Sequence, residues 1–128
     1  MKIYVAGKFE EKEVVLDIYK RIEELGHEVS YNWTTHEDYE PYEENQETAA
    51  QYATNELEAI VQSDVLIYLA HERGTTLPME FGAALAMAKI KGAPKIYVVG
   101  TWNTKSPWFF NPLVQRVDSV EEALCDFT

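Results

Sequence analysis

The sequence has little of what several common kinds of site require. Its single cysteine, Cys125, excludes an internal disulfide bond and any metal site built from several cysteines. The three histidines, His27, His36 and His71, are far apart in the chain and form no zinc-binding pair, so we expect no metal site. No apolar run approaches the roughly 20 residues of a membrane span, and the first residues show no cleavable signal pattern. We therefore expect a cytoplasmic protein that does not associate with membranes.

Basic residues are also scarce. The chain has 11 Lys and Arg against 22 Asp and Glu, a formal net charge of −11 at pH 7. Proteins that bind nucleic acids concentrate basic side chains on one face, so a nucleic-acid polymer is not an expected partner. A small ligand or a single phosphate is compatible with this charge. The turn after the first predicted strand reads Gly7-Lys8-Phe9-Glu10, a poor phosphate cradle, and it excludes the common dinucleotide and nucleoside-triphosphate motifs.

What is present is the composition of one folded domain, residues 1–128, with 46% hydrophobic residues and no Pro-, Gly- or Ser-rich linker. Apolar segments predict five strands, and the patterns between them predict four helices. The predicted strands are 2–7, 27–33, 65–70, 95–100 and 113–117, and the predicted helices are 10–25, 47–63, 78–91 and 120–127. Such alternation predicts an α/β fold, a flavodoxin-like (Rossmann-like) three-layer sandwich with a five-stranded parallel sheet of order 2-1-3-4-5.

The central segment, residues 64–91, contains the first candidate for chemistry. Six consecutive apolar residues, 65–70, predict a strand buried on both faces, and an alanine-rich helix follows it. Pro78 suits the first turn of a helix, which places Glu80 in that turn, at the carboxyl end of a central strand. The helix dipole would then favour an ionised carboxylate. Such a group can act as a nucleophile, although acidic residues also occupy first helical turns for stability alone.

The predicted strand order brings further residues towards Glu80. Ligands of such sheets bind outside the carboxyl ends of the strands, where the order reverses between the first and third strands. The turn 7–9 and the turn 70–80 would therefore be neighbours, and Tyr4, Glu80 and Glu56 would converge. On a helical wheel Glu56 lies beside the buried stripe of its helix, although a solvated position is the alternative. The stripe is predicted to contain Ala49, Ala53, Leu57, Ile60 and Val61.

Two long segments lack periodicity. Loops as long as residues 34–46 are often lids or binding loops. The carboxylates of the loop 34–46 are expected to be solvated, whereas its Tyr39 and Tyr42 are better candidates to contact a ligand. Residues 101–112 carry four aromatic side chains, and three of them, Trp108, Phe109 and Phe110, either form a contact with another subunit or cap the edge of the sheet within one subunit.

Three segments resemble the nucleoside 2-deoxyribosyltransferase superfamily, which also contains the 2'-deoxynucleoside 5'-monophosphate N-hydrolases. They are residues 3–7 (IYVAG), residues 55–60 (NELEAI) leading into 63–66 (SDVL), and residues 77–86 (LPMEFGAALA). The resemblance follows the whole chain in the right order. Its most specific part is Met-Glu-Phe-Gly after the third strand.

The resemblance implies roles for individual residues. Glu80 would be the nucleophile, Tyr4 the phenol that orients it, and Glu56 the helix carboxylate that contacts sugar or base, where the family usually has aspartate. Some members carry a second carboxylate shortly before the nucleophile, and here only Glu72 is close. The family also implies a homo-oligomer whose sites are completed by the loop 101–112 of a neighbour. The substrate-binding candidates are Gly7, Lys8, Phe9, Glu72, Arg73, Gly74, Ser106 and Asn111.

The implied reaction is glycosyl transfer with retention, in which Glu80 attacks C1' of a deoxyribose and the base departs. A second base as acceptor gives a transferase and water gives a hydrolase, and neither needs an external cofactor. The nucleotide hydrolases hold the phosphate with an arginine- and glycine-rich loop after the first strand, where this chain offers only Lys8. We therefore expect a transferase acting on unphosphorylated 2'-deoxynucleosides. The alternatives are a 5'-monophosphate N-glycosidase and a non-catalytic sensor of nucleosides or nucleotides.

Overall fold

The computed structural model describes residues 1–72 and 75–128. All strands are parallel and form one sheet of order β2-β1-β3-β4-β5, which confirms the predicted flavodoxin-like arrangement. The strands are β1 (Lys2–Ala6), β2 (Glu28–Val29), β3 (Val65–Leu69), β4 (Lys95–Val99) and β5 (Val114–Val117). The helices are α1 (Lys12–Glu24), α2 (Gln46–Gln62), α3 (Thr76–Lys91) and α4 (Val120–Phe127).

The helices cover the two faces of the sheet. α1 and α4 lie on one face, where Arg21 of α1 donates to Glu121 of α4 over 2.7 Å. α2 and α3 pack side by side on the other. β3 is buried throughout, as predicted for 65–70, and each large apolar side chain enclosed there contributes about 1.5–3 kcal/mol to folding. In the parts of the chain that the structure describes, no helix has the length and apolar character needed to cross a membrane.

The second strand is much shorter than the prediction of 27–33. β2 ends at Val29, and the chain then forms a 3-10 turn, Trp33–Thr35. The Asn32 side chain accepts a hydrogen bond from the Thr34 amide at 3.0 Å, a local bond that competes with strand pairing. Trp33 is buried, and its indole Nε1 donates to the carbonyl of Val5 over 2.7 Å. The turn therefore places an indole beside the carboxyl end of β1.

The predicted buried stripe of α2 is largely wrong. Of its five members only Ile60 is buried, while Ala53 and Leu57 are exposed. The side chains of α2 that are fully buried, Ala59 and Ile60, lie near its carboxyl end. A helical wheel gives the direction in which each side chain points, but it does not show how much of the helix lies over the sheet. Glu56, one turn before Ile60, is partly buried.

Candidate active site

A tyrosine and a glutamate form the floor of the site. Tyr4 lies on β1, its side chain is completely buried, and its hydroxyl donates to Glu80 Oε1 over 2.6 Å. β1 pairs directly with β3, and α3 follows β3, so this connection brings residue 80 over residue 4. Because the phenol is enclosed by the core, it holds one carboxylate oxygen in a fixed place. The other oxygen remains available at a cleft that Glu80 lines.

The position of Glu80 in α3 differs from the prediction. The helix begins at Thr76, so Pro78 is its third residue and Glu80 its fifth, in the second turn rather than the first. Pro78 is still among the first four residues, whose N–H groups have no partner within the helix. The stabilisation of negative charge by a helix dipole falls off within the first turn. Glu80 therefore receives little of the stabilisation that the sequence analysis assigned to it.

The charge state of Glu80 also differs from the prediction. Burial and the nearby charge of Glu56 raise its pKa to about 8, although the Tyr4 hydrogen bond acts in the opposite direction. Burial alone raises the pKa of Glu56 to about 7. Two carboxyl groups that disfavour each other's charge lose their protons in sequence. Near neutral pH the pair holds at least one proton, so one carboxyl can donate a proton while the other is an anion.

The cleft in front of this pair has a volume of about 490 Å³, which is within the usual range for small-ligand sites. It is bounded by the turn after β1, the loop 34–46, α2 and the start of α3. His71 Nε2 lies 2.7 Å from Glu11 Oε1, which joins the turns after β1 and β3 as the strand order predicted. The lining residues are Gly7, Lys8, Phe9, Glu10, Trp33, His36, Glu37, Asp38, Tyr39, Glu40, Tyr42, Glu56, Thr75, Thr76, Leu77 and Glu80.

Stacked aromatic side chains hold the loop 34–46 at the cleft. His36 is parallel to Tyr52 of α2 with ring centroids 3.6 Å apart, and Tyr39 meets the same Tyr52 edge-on at 5.0 Å. Tyr42 packs on Tyr39 at 5.2 Å. Burial lowers the pKa of His36, and the neutral ring lies 2.6 Å from the Tyr31 hydroxyl, which can donate to its Nε2. Both tyrosines that were predicted to contact a ligand therefore line the cleft, and that contact itself stays a prediction.

The predicted substrate-binding residues divide into three groups. Gly7, Lys8 and Phe9 line the Glu80 cleft. Gly7 has little room for a side chain, because a Cβ there would lie 3.1 Å from Leu69 Cδ1 and 3.2 Å from Val15 Cγ2. Arg73 and Gly74 lie outside the described residues.

The third group lies away from Glu80 within the same chain. Glu72 and Ser106 line a second cleft of about 370 Å³, next to Pro78 and Gly82 of α3. Asn111 lines a depression of about 250 Å³ beside Leu85. Their predicted roles stay predictions. The resemblance implies that Ser106 and Asn111 complete the site of a neighbouring subunit rather than that of their own chain.

Of the two roles predicted for the aromatic cluster 108–110, the structure shows the cap on the sheet for Phe109, and the contact with another subunit stays a prediction. Phe109 is buried and meets Phe81 of α3 edge-on at 5.1 Å, so it caps the sheet within the subunit. Trp108 and Phe110 are 60% and 55% exposed, which leaves them available for a contact with another molecule.

Sequence reasoning missed several residues of the cleft. Trp33 was placed in a strand, and His36 was considered only as a metal ligand. The available signal was the polar Asn32 before them, which favours a turn. Thr75, Thr76 and Leu77 also line the cleft, because α3 begins earlier than Pro78 suggested. Across the described ranges, no three potential metal ligands converge.

The sequence matches no protein-family model, and no curated protein matches it. The structure is similar to that of the Clostridium botulinum CMP N-glycosidase BcmB, with a TM-score of 0.63, 18% sequence identity, and coverage of 99% of this chain and 98% of that chain. At this identity the likeness concerns the fold. The chain therefore has the fold of BcmB, which is the fold that the resemblance to the nucleoside 2-deoxyribosyltransferase superfamily predicts.

Proposed function

We propose that the protein cleaves the N-glycosidic bond of 2'-deoxynucleosides and transfers the deoxyribose to another base, as a member of the nucleoside 2-deoxyribosyltransferase superfamily. The observation that carries the proposal is the 2.6 Å hydrogen bond from the buried Tyr4 to Glu80 at the floor of a cleft. This arrangement fixes a carboxylate oxygen as a nucleophile. The size of the cleft and the aromatic side chains of the loop 34–46 further support a nucleoside as ligand.

The two carboxyl groups have complementary roles in this reaction. The ionised Glu80 attacks C1', the bond from C1' to the base nitrogen breaks, and the electron pair of that bond goes to the base. In the reactive form the proton that the pair shares near neutral pH lies on Glu56, which donates it to the departing base. The higher pKa of Glu80, about 8 against about 7, makes this form the less populated one. A glycosyl ester of Glu80 remains. An incoming base then attacks C1', Glu80 leaves as a carboxylate, and Glu56 takes the proton that the incoming base loses.

A second candidate is N-glycosidase activity, in which water opens the ester. BcmB acts on CMP, and its fold is shared by this chain. Lys8 lines the cleft and could contact a 5'-phosphate. Against this, carboxyl groups of Glu10 and of the loop 34–46 line the same cleft and would repel a phosphate dianion. We therefore propose the transferase reaction on unphosphorylated nucleosides ahead of N-glycosidase activity on nucleotides.

The test is to incubate the protein with 2'-deoxynucleosides and their 5'-monophosphates, with and without an acceptor base. Chromatography follows free base and new nucleoside, and mass spectrometry searches for a deoxyribosyl adduct on Glu80. Base exchange supports the transferase, and release of base without an acceptor supports the glycosidase. Binding without either product would favour a sensor and refute the enzymatic proposal. Glu80→Gln should abolish both reactions, and its continued turnover would refute the nucleophile.

We also propose a homo-oligomer in which the loop 101–112 of one copy completes the site of another. The exposed Trp108 and Phe110 support a contact surface there, because large aromatic side chains are costly to leave in water. Sedimentation equilibrium should give a dimer or a larger assembly. Ser106→Ala should lower activity without changing the assembly. A monomer with full activity would contradict the proposal.

A further inference from the structure

The lining of the Glu80 cleft is strongly acidic. Among its described residues six carry a carboxyl group, and Lys8 carries the single ammonium group. The six are Glu10, Glu37, Asp38, Glu40, Glu56 and Glu80. Carboxylates around a concave surface with apolar walls focus a negative potential, which attracts cations and repels anions. The cleft therefore discriminates between ligands by charge before any base-specific contact is made.

The distribution of these carboxyl groups does not suit a metal ion. They come from the turn after β1, the loop 34–46, α2 and α3, and within the described parts of the chain they make no cluster of three metal ligands. A divalent cation needs several oxygens around one point. Negative charge that is spread around a cleft suits a larger cation whose charge is delocalised.

Aromatic rings in the same lining add a second attraction for such a cation. Phe9, Tyr39 and Tyr42 line the cleft, and Tyr39 is held edge-on by Tyr52. Burial and then the charge of Glu56 raise the pKa of Tyr39 to about 12. The Tyr39 phenol therefore lies close enough to Glu56 for the charge of one group to affect the other. Flat organic cations bind well where ring faces and carboxylates occur together.

We propose that the cleft selects 2'-deoxynucleosides whose base is itself a cation at neutral pH, such as a base alkylated on a ring nitrogen. The inference rests on the proposed function and names its substrate class. A cationic base leaves as a neutral molecule, because the electron pair of the broken bond from C1' cancels its charge. No proton has to be donated, so Glu56 can remain ionised while Glu80 forms the glycosyl ester. An acceptor base or water then opens the ester as above.

The charge of such a base also activates the nucleophile. The pKa of Glu80 is about 8 and that of Glu56 about 7, and a positive charge in the cleft lowers both. Binding at pH 7 should therefore release protons to the buffer, which leaves Glu80 ionised beside C1'. A neutral base has no such effect, and its cleavage needs one of the two carboxyl groups to keep its proton.

Two pairs of positional isomers test the proposal, because the members of each pair differ in the position of one methyl group, and the cationic member also carries one additional proton at neutral pH. 3-Methyl-2'-deoxycytidine is cationic and 5-methyl-2'-deoxycytidine is neutral, and 1-methyl-2'-deoxyadenosine and N6-methyl-2'-deoxyadenosine form the purine pair. Rates without enzyme are subtracted. Because a cationic base is the better leaving group in any site, KM measures recognition here. We expect KM to be about tenfold lower for the cation at low salt, a difference that shrinks as salt screens the carboxylates.

The variant Glu37→Gln/Asp38→Asn/Glu40→Gln removes three exposed charges from the lining without touching Tyr4 or Glu80. It should reduce the KM difference between the cationic and the neutral isomers to within about twofold. The matched control is Glu43→Gln/Glu44→Gln/Glu47→Gln, which removes the same charge from exposed positions outside the lining. The control should keep the preference for the cation.

The outcomes separate this inference from the proposed function. If neutral isomers are processed with an equal or lower KM, or if the lining variant keeps the preference, the inference is overturned while the proposed function stands. If no nucleoside is processed, the proposed function fails. Calorimetric titration of the same isomers then measures recognition alone. Tighter binding of the cations with proton release would support the charge selection, and equal binding would overturn it.

Discussion

Replacement of Tyr4 by Phe tests the central geometry, because it removes one hydroxyl from a completely buried ring. That hydroxyl donates to Glu80 Oε1 over 2.6 Å, and the bond lowers the pKa of the carboxyl. A hydrogen bond to a charged group contributes about 1.5–3 kcal/mol, and about 1.4 kcal/mol corresponds to one pH unit in a pKa. The pKa of Glu80 should therefore rise from about 8 to about 9–10 in the variant.

The sign of the effect on activity follows from the role of the group. Glu80 attacks as an anion, so at pH 7 the active fraction falls tenfold for each pH unit by which its pKa rises. The rate at pH 7 should fall by about 10- to 100-fold. The assay is the pH dependence of kcat/KM from pH 6 to 10 with a neutral 2'-deoxynucleoside. The ascending limb should move to higher pH in the variant.

A matched control lies on the other face of the sheet. Tyr97 is also completely buried, and its hydroxyl donates to the carboxylate of Asp126 over 2.5 Å. Tyr97→Phe removes the same kind of bond far from the cleft, so it should alter stability but leave the pH profile in place. If the profile of Tyr4→Phe coincides with that of the unmodified protein, the phenol does not set the charge state of Glu80 and the assigned geometry is wrong.

Three further predictions concern stability. Because burial raises the pKa of Glu80 from 4.5 to about 8, the unfolded chain releases this proton first, and the fold loses stability progressively between those two pH values. Glu80→Gln should therefore raise the free energy of unfolding at pH 9 by up to about 5 kcal/mol and change it little at pH 5. Gly7→Ala meets two side chains within 3.2 Å and should cost about 1 kcal/mol, whereas Gly82→Ala, with free space in a helix, should stabilise by about 0.5–1 kcal/mol. Ile60→Ala should cost about 2–5 kcal/mol and Leu57→Ala, half exposed, less than about 1 kcal/mol. Urea unfolding measures all of them, and equal costs at positions 57 and 60 would contradict the observed orientation of α2.

The strands and their order could be predicted from the sequence because each depends on local pattern and on chain handedness. The apolar run 65–70 can be buried on both faces only as a central strand, and right-handed crossovers then leave few arrangements. The approach of Tyr4 to Glu80 follows from that order, because Tyr4 lies on β1 and Glu80 lies on the helix that follows the adjacent strand β3. These features needed no knowledge of side-chain packing.

The parts that could not be predicted depend on three-dimensional packing. The early end of β2 depends on a local hydrogen bond of Asn32 and on the burial of Trp33 against β1. The exposure of Leu57 depends on how α2 lies on the sheet. The positions of Ser106 and Asn111 relative to Glu80 are distances between elements far apart in sequence, which no spacing rule provides.

The largest error concerned the charge of Glu80, and its cause bears on function. A pattern shows that a carboxyl stands near the start of a helix, but not that the core, Tyr4 and Glu56 surround it. Enclosure raises the pKa of Glu80, so this carboxyl is mostly protonated at neutral pH and must lose its proton before it can act as a nucleophile. The same enclosure removes the water that would otherwise solvate its anion, so the anion, once formed, is poorly shielded and attracted to the positive charge that develops at C1'. A site of this kind becomes active when its ligand supplies the charge that removes the proton.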